Sequence, residues 1–217
     1  MSFQLLDFAR ETALPEPENF VAKCNDLRLF LEDTNRCVNL TRITGKEEFD
    51  LKHVADSLTI FQLFPELLTG KFRIADIGCG AGFPSLILAL AAPQLEITAI
   101  DSIGKKVAFV ARAAELLGLN NLRTIHGRAV ELNRKIEFRN QFDIVTARAV
   151  APSQKIYGET KNFTRKNGRF IFYKTPSQAA EEMPELLRLK NIQWRQSEVF
   201  ELPEDTGSRC FVIGTPR

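Results

Sequence analysis

Nine consecutive residues constrain this chain more than any others: Asp76-Ile77-Gly78-Cys79-Gly80-Ala81-Gly82-Phe83-Pro84. They follow a short apolar run, Phe72 to Ile77, that reads as a buried strand. Alternating glycines let the backbone turn tightly and approach a ligand with no Cβ in the way. Pro84 stands where a first helical turn should begin, a position proline favours. A strand, a glycine loop and a helix in that order belong to a parallel α/β sheet that binds something at the loop.

The rest of the chain supports that architecture. Leu95 to Ile100, Leu122 to His126, Phe142 to Ala147 and Arg169 to Tyr173 are further short apolar runs separated by helical stretches. The clearest of these is Lys105 to Leu117, where Val107, Val110, Ala111, Ala114 and Leu117 predict one apolar face. Trp194 to Leu202 and Arg209 to Gly214 predict two more strands, a hairpin closing the sheet. Before residue 68 the pattern is helical: Leu27, Phe30 and Leu31 fall at helix spacing, as do Val54, Leu58, Phe61 and Phe64. Leu14-Pro15-Glu16-Pro17 and Gly45 punctuate those helices. The expected fold is α/β: a doubly wound, mostly parallel seven-stranded sheet (residues 71–217) with a small helical N-terminal element (residues 1–70). A chain of 217 residues can bury one substantial core with such an appendage. Ligands of such sheets sit outside the C-terminal strand ends, where the strand order reverses.

Composition excludes several alternatives. No apolar run approaches the roughly 20 residues needed to cross a bilayer, so no membrane partner is expected. Met1 to Arg10 carries Asp7 and lacks the basic-then-apolar pattern of a secretory signal. Cys24, Cys37, Cys79 and Cys210 lie far apart with no CxxC pair, and read as reduced, half-buried packing residues of a cytoplasmic protein. His53 and His126 are too scattered to predict a metal site. The net charge of +2 conceals an asymmetry. Residues 71–175 carry 17 Lys and Arg against 8 acids, whereas residues 1–70 carry 7 against 12. Residues 123–174 alone hold 12 cations against 4 acids, including Arg128, Arg134, Lys135, Arg139 and Lys174. A surplus of that size within one domain predicts a polyanionic partner.

Spacing within the loop narrows its ligand. The dinucleotide fingerprint GxGxxG would place its third glycine at position 83, which is Phe83. This chain instead has GxGxG preceded two residues earlier by an acid, Asp76. A pyrophosphate prefers an open helix N-terminus. A carboxylate beside the loop suits a ligand with a cationic amino group, such as the methionine part of S-adenosylmethionine. Asp101 ends the second strand, 19 residues beyond Gly82, where its carboxylate can accept from both ribose hydroxyls. Gly78, Gly80 and Ser102 complete the expected cofactor set. A nucleotide-binding oxidoreductase is the alternative that this spacing argues against.

The acceptor is read from the fourth strand, which ends Thr146-Ala147-Arg148-Ala149-Val150-Ala151-Pro152. Methylation of a base's exocyclic amine commonly uses an Asp or Asn beside prolines and an aromatic here, and none is present. Attack through a ring carbon would need a nucleophilic cysteine in a suitable loop, and none of the four fits. The residue that stands there is a cation, Arg148. A ring nitrogen such as guanine N7 needs positioning more than a general base. A small-molecule methyltransferase on the same fold is the other reading, and the basic middle block argues against it.

With these residues in view, the chain resembles the bacterial 16S ribosomal RNA (guanine-N7)-methyltransferases, also called glucose-inhibited division protein B. The likeness runs from about Asn39 to Gly214. It rests on Asn39-Leu40-Thr41, His53 with Asp56-Ser57-Leu58, the loop from Asp76 to Pro84, Asp101-Ser102-Ile103-Gly104-Lys105-Lys106, and Ala147-Arg148-Ala149. The resemblance implies S-adenosylmethionine as donor and small-subunit RNA near its 530 loop as acceptor, free, in a ribosomal particle or in a partly assembled subunit. Gly78, Phe83, Ala129, Val130 and Arg148 are the implied cofactor contacts. Arg148 is also the expected catalytic residue, and His53, Asp56, Lys105, Arg128 and Lys174 the expected substrate-side residues, in a monomer, with packing of the N-terminal helix onto the sheet as the other reading of His53 and Asp56. Two departures stand out: Ser85 replaces a common glycine, and Thr175-Pro176 follows Lys174 where glycine often does.

Overall fold

The computed structural model describes residues 3–43 and 45–217; the first two positions of the Met1–Arg10 stretch and Thr44 lie outside them. In chain order the elements are α1 (Leu5–Glu11), α2 (Pro17–Val38), α3 (Lys46–Glu48), a π-helical segment (Phe49–Ala55), α4 (Asp56–Leu63), β1 (Arg73–Ile77), α5 (Ser85–Ala91), β2 (Glu96–Asp101), α6 (Gly104–Leu117), β3 (Leu122–His126), α7 (Ala129–Leu132), β4 (Phe142–Arg148), α8 (Ser153–Thr160), β5 (Thr164–Lys174), α9 (Pro176–Leu186), β6 (Ile192–Gln196), β7 (Phe200–Glu201) and β8 (Ser208–Pro216). The sheet runs β3-β2-β1-β4-β5-β8-β6, with the two-residue β7 paired to β8 beside this path. The first five strands of that order are parallel, while β8 is antiparallel to both β5 and β6. The expected seven-strand sheet is therefore present, with β7 as a short addition.

Period-2 alternation places the two faces of each strand in different cores. Ile74, Ile97, Ile144, Ile171 and Ile213 face one cluster, covered by α1, α2, α4, α5 and α6. Ala75, Val145, Phe170, Phe172 and Val212 face the other, covered by α7, α8 and α9. The N-terminal helices thus lie directly on the sheet's helical layer. Phe30 of α2 stacks on Phe109 of α6 at 5.2 Å. Pro17 opens α2, and Asn39 closes it in the left-handed conformation.

Local differences from the sequence reading have physical causes. Ala111 is exposed on α6, and the buried face there is Val107, Phe109, Val110, Ala113, Ala114 and Leu117. The α2 contact draws Phe109 inward. The tail strand expected from Trp194 to Leu202 breaks after Gln196, because Ser197 takes up the backbone of Phe211 through both its N–H and its Oγ. All four cysteines are free; Cys24, Cys79 and Cys210 are buried and Cys37 is exposed, so none is half-buried as expected. No helix among the described residues is long and apolar enough to cross a membrane.

Candidate active site

The strand order reverses between β1 and β4, and the glycine loop leaves β1 at that point. Gly78 N–H and Cys79 N–H both donate to Ile100 O, at 2.7 and 3.0 Å, which folds the loop onto β2. Gly78 and Gly80 have φ of +67° and +57°, conformations that cost other L-residues roughly 1–2 kcal/mol. A Cβ at Gly78 would lie 2.5 Å from Val150 Cγ2, so the β4–α8 loop can close onto it only because no side chain is there. A Cβ at Gly80 would meet nothing nearer than Gly78 O at 3.9 Å, so it would project into open space. Asp101 supports the loop from below. Its Oδ2 accepts from Gly80 N–H and its Oδ1 from Ile103 N–H, each at 2.9 Å. Each oxygen keeps a further lone pair for a ligand.

The resulting cleft measures about 550 Å³ and is lined by Gly78, Asp101, Ser102, Arg128, Ala129 and Val130, among others. Asp76 lies beneath it, 1% exposed. Its Oδ2 accepts from Ser85 Oγ at 2.5 Å, and its Oδ1 is buried with no partner among the described residues. Burial raises this carboxyl to about 7, even though the Ser85 hydrogen bond and the Arg148 charge oppose the shift. Phe83 is buried too, not on the cleft wall. His53 stacks on its ring at 4.0 Å and 6°, Phe49 meets it edge-on, and the Arg148 guanidinium lies 5.9 Å from its centroid.

A polar cluster joins the N-terminal element to the strand ends. The π-helical segment runs into α4 and presents His53 and Asp56, and such segments often mark functional sites. Asp56, 4% exposed, accepts from Arg148 Nη1 at 2.9 Å and from Arg209 Nε at 3.1 Å. Arg148 Nη1 also donates to Lys52 O, and Nη2 lies 3.3 Å from His53 Nδ1. Because a guanidinium can only donate, His53 Nδ1 is the acceptor and its proton is on Nε2. That Nε2–H points at Thr41 Oγ1, 3.3 Å away. Burial, and secondarily Arg148, lower His53 to about 3, so the ring is neutral. Burial raises the Cys79 thiol far above its ordinary range, and the carboxylates of Asp76 and Asp101 push it further.

The remaining expected residues divide. Arg128 is exposed on the cleft wall. Lys105 is exposed but off that wall, where its neighbour Lys106 stands instead. One helical residue turns the side chain by about 100°, so a pattern of two adjacent lysines does not say which faces the ligand. Lys174 is 7% exposed and bound to Glu182 Oε1 at 2.7 Å and Ala151 O at 3.2 Å, so its charge is matched inside the chain. The basic block is likewise dispersed: Arg165 pairs with Asp143 and Arg169 with Glu66, away from the cleft. Sequence reasoning missed Arg209, Glu182 and Thr41 as members of these clusters. Thr41 lay in a quoted motif, but nothing in the sequence pairs Arg209 with Asp56, 153 residues away.

The arrangement fits S-adenosylmethionine. Asp101 has lone pairs for ribose hydroxyls, the space beside Gly80 is open, and the buried Oδ1 of Asp76 has no donor among the described residues. The O-methyltransferase from Bacillus cereus, solved in complex with SAH, superposes with a TM-score of 0.61 at 12% identity over 90% of this chain and 91% of that one. Fold and cleft define the class as an S-adenosylmethionine-dependent methyltransferase. The profile of the family described as rRNA small subunit methyltransferase G matches residues 21–205. Ribosomal RNA small subunit methyltransferase G of Lactobacillus delbrueckii is 40% identical over 181 residues, 82% of this chain and 76% of that protein. The Limosilactobacillus reuteri protein of the same name is 44% identical over 159 residues, 73% of this chain and 66% of its own. The chain belongs to the rRNA small subunit methyltransferase G family.

Proposed function

We propose that this enzyme transfers the methyl group of S-adenosylmethionine to N7 of a guanosine in the 530 loop region of 16S ribosomal RNA. One observation carries the choice of a ring nitrogen. At the end of β4, where a proton-abstracting group would stand, the chain places Arg148 and binds it to a buried Asp56. Neither His53 nor Cys79 offers a substitute: His53 has its acceptor nitrogen turned to Arg148, and the Cys79 thiol is held protonated. Guanine N7 has an in-plane lone pair and no proton to lose, so placement suffices.

The bound donor supplies an electrophilic methyl on a sulfonium. The chain supplies geometry and charge. Asp101 takes the ribose hydroxyls while its backbone partners keep the loop in position. Gly80 admits the ligand, and Ala129 and Val130 form an apolar wall. Among the described residues, Arg148 Nε–H has no partner in the chain, and in this reading it orients the base through O6. Asp56 offsets the Arg148 guanidinium, and the charge left over in the cluster is that of Arg209. Lys106, Arg128 and Lys155 stand on the cleft rim as candidate phosphate contacts. In this reading the enzyme acts as a monomer in the cytoplasm on free RNA, the small subunit or an assembly intermediate. Mass spectrometry of small-subunit RNA from a strain lacking the protein should show one N7-methylguanosine missing, restored by the wild-type chain and not by Arg148→Ala. An unchanged modification profile overturns the proposal.

A further inference from the structure

We infer that the hollow beside Asp56 is a phosphodiester site for the RNA strand, with Arg209 as its main donor. The inference rests on the RNA reading above and names a site within it. The hollow measures about 360 Å³ and is lined by Lys52, His53, Asp56, Arg148, Gln178 and Arg209, among others. It shares Ala149 with the cofactor cleft, so a strand whose base enters the cleft passes its mouth.

Charge counting identifies the occupant. Lys52 is paired with Glu48 and Lys174 with Glu182, and both pairs are neutral. Asp56 faces two guanidiniums, Arg148 and Arg209, and the His53 ring between them and Thr41 is neutral. One positive charge is left over. It sits on side chains only 13% and 22% exposed, where water compensates it poorly. Arg209 spends Nε on Asp56 Oδ1 and Nη1 on Ser208 O. Among the described residues its Nη2 has no partner. A phosphodiester has the required single charge and two free oxygens, which a guanidinium fork matches. The donor's carboxylate is the other available anion. The cofactor cleft, however, is walled by Gly78, Asp101 and Ser102, and of the hollow's lining only Ala149 borders it.

The test compares wild type, Arg209→Gln, Arg209→Lys and Gln178→Glu, each first checked for native circular dichroism. Gln178→Glu keeps the helix-capping geometry with Thr175 and adds an anion at the hollow's lip without touching Asp56. Binding of small-subunit RNA is measured across salt concentrations, S-adenosylhomocysteine binding by calorimetry, and methyl transfer by steady-state kinetics. Arg209→Gln should weaken RNA binding about tenfold and make the log–log salt slope shallower by about 0.7, with S-adenosylhomocysteine affinity unchanged. Arg209→Lys should recover most of the binding, Gln178→Glu should lose it, and the losses should fall on KM more than kcat. Native RNA affinity and slope in both Arg209→Gln and Gln178→Glu overturn the inference, even if wild type methylates RNA normally. Loss of S-adenosylhomocysteine affinity in Arg209→Gln also overturns it, by giving the hollow to the donor's carboxylate. If wild type methylates no small-subunit RNA, the functional reading itself fails, which this design separates from failure of the site.

Discussion

Asp101 serves the loop and, in the proposed reading, the ligand, and substitution tests both. Asp101→Ala removes the acceptors for Gly80 N–H and Ile103 N–H and, in that reading, for the ribose. Each charge-assisted bond contributes about 1.5–3 kcal/mol, so S-adenosylhomocysteine affinity should fall at least tenfold in a variant with native circular dichroism. Calorimetry showing native affinity would remove Asp101 from the site. Asp76 and His53 make opposite demands on pH. Burial raises Asp76 from 3.8 to about 7, so between those values the folded chain keeps a proton that the unfolded chain releases. Its effect is stability that declines as pH rises through that window. His53 is lowered from 6.5 to about 3, so its contribution is intact above about 6.5 and lost as pH falls towards 3. The two slopes oppose one another from roughly pH 4 to 6.5. Asp76→Asn removes only the first. Its stability should therefore rise with pH more steeply than that of wild type, by up to about 1.4 kcal/mol per pH unit. Urea denaturation at several pH values checks this, and parallel wild-type and Asn curves would contradict it.

Among the elements, α9 and the end of β5 hold the β4–α8 loop through a single charged link. Glu182 accepts from Lys174 Nζ, Ser153 N–H and Ser153 Oγ, and Lys174 also reaches Ala151 O. Both side chains are mostly buried, 8% and 14% exposed. Glu182→Leu strands an ammonium and should cost on the order of 3 kcal/mol. Lys174→Met with Glu182→Leu should recover much of that, which a denaturation double-mutant cycle measures. Strands and main helices were legible because burial on one or two faces writes a period into local sequence. The π-helical segment was not. Val54, Leu58 and Phe61 fit an ordinary helix, and nothing in their spacing announces the extra residue per turn over Phe49–Ala55. Local chemistry likewise announced Asp101 and the glycine loop. The Asp56–Arg209 and Lys174–Glu182 pairs depend on register between distant elements, which no spacing rule encodes.

For the whole molecule, the sequence's basic middle block does not become one basic face. Several of its cations are matched by nearby acids, and those at the strand starts lie at the opposite end from the cleft. Lys106, Arg128 and Lys155 remain at the rim. If these three join the Arg209 site as the main phosphate contacts, RNA affinity should fall with salt at a log–log slope of about −3 for single strands. Arg128→Gln should reduce that slope by about 0.7, whereas Arg165→Gln, whose partner is Asp143 at the start of β4, should leave it alone. Filter binding at several salt concentrations checks both. Equal effects of the two substitutions would mean a diffuse field, not a located contact.

The place of β8 in the sheet bears on how the enzyme is made. This strand follows every other in the chain, yet it lies inside the sheet, between β5 and β6. On a ribosome, β5 and β6 emerge first and wait with unpaired edges that invite wrong partners. Asp56, translated early, waits for its second guanidinium until Arg209 appears. Sheet closure and the arrival of Arg209 at Asp56 therefore fall in the same late step, and a nascent chain cannot assemble the Asp56–Arg148–Arg209 cluster before β8 is in place.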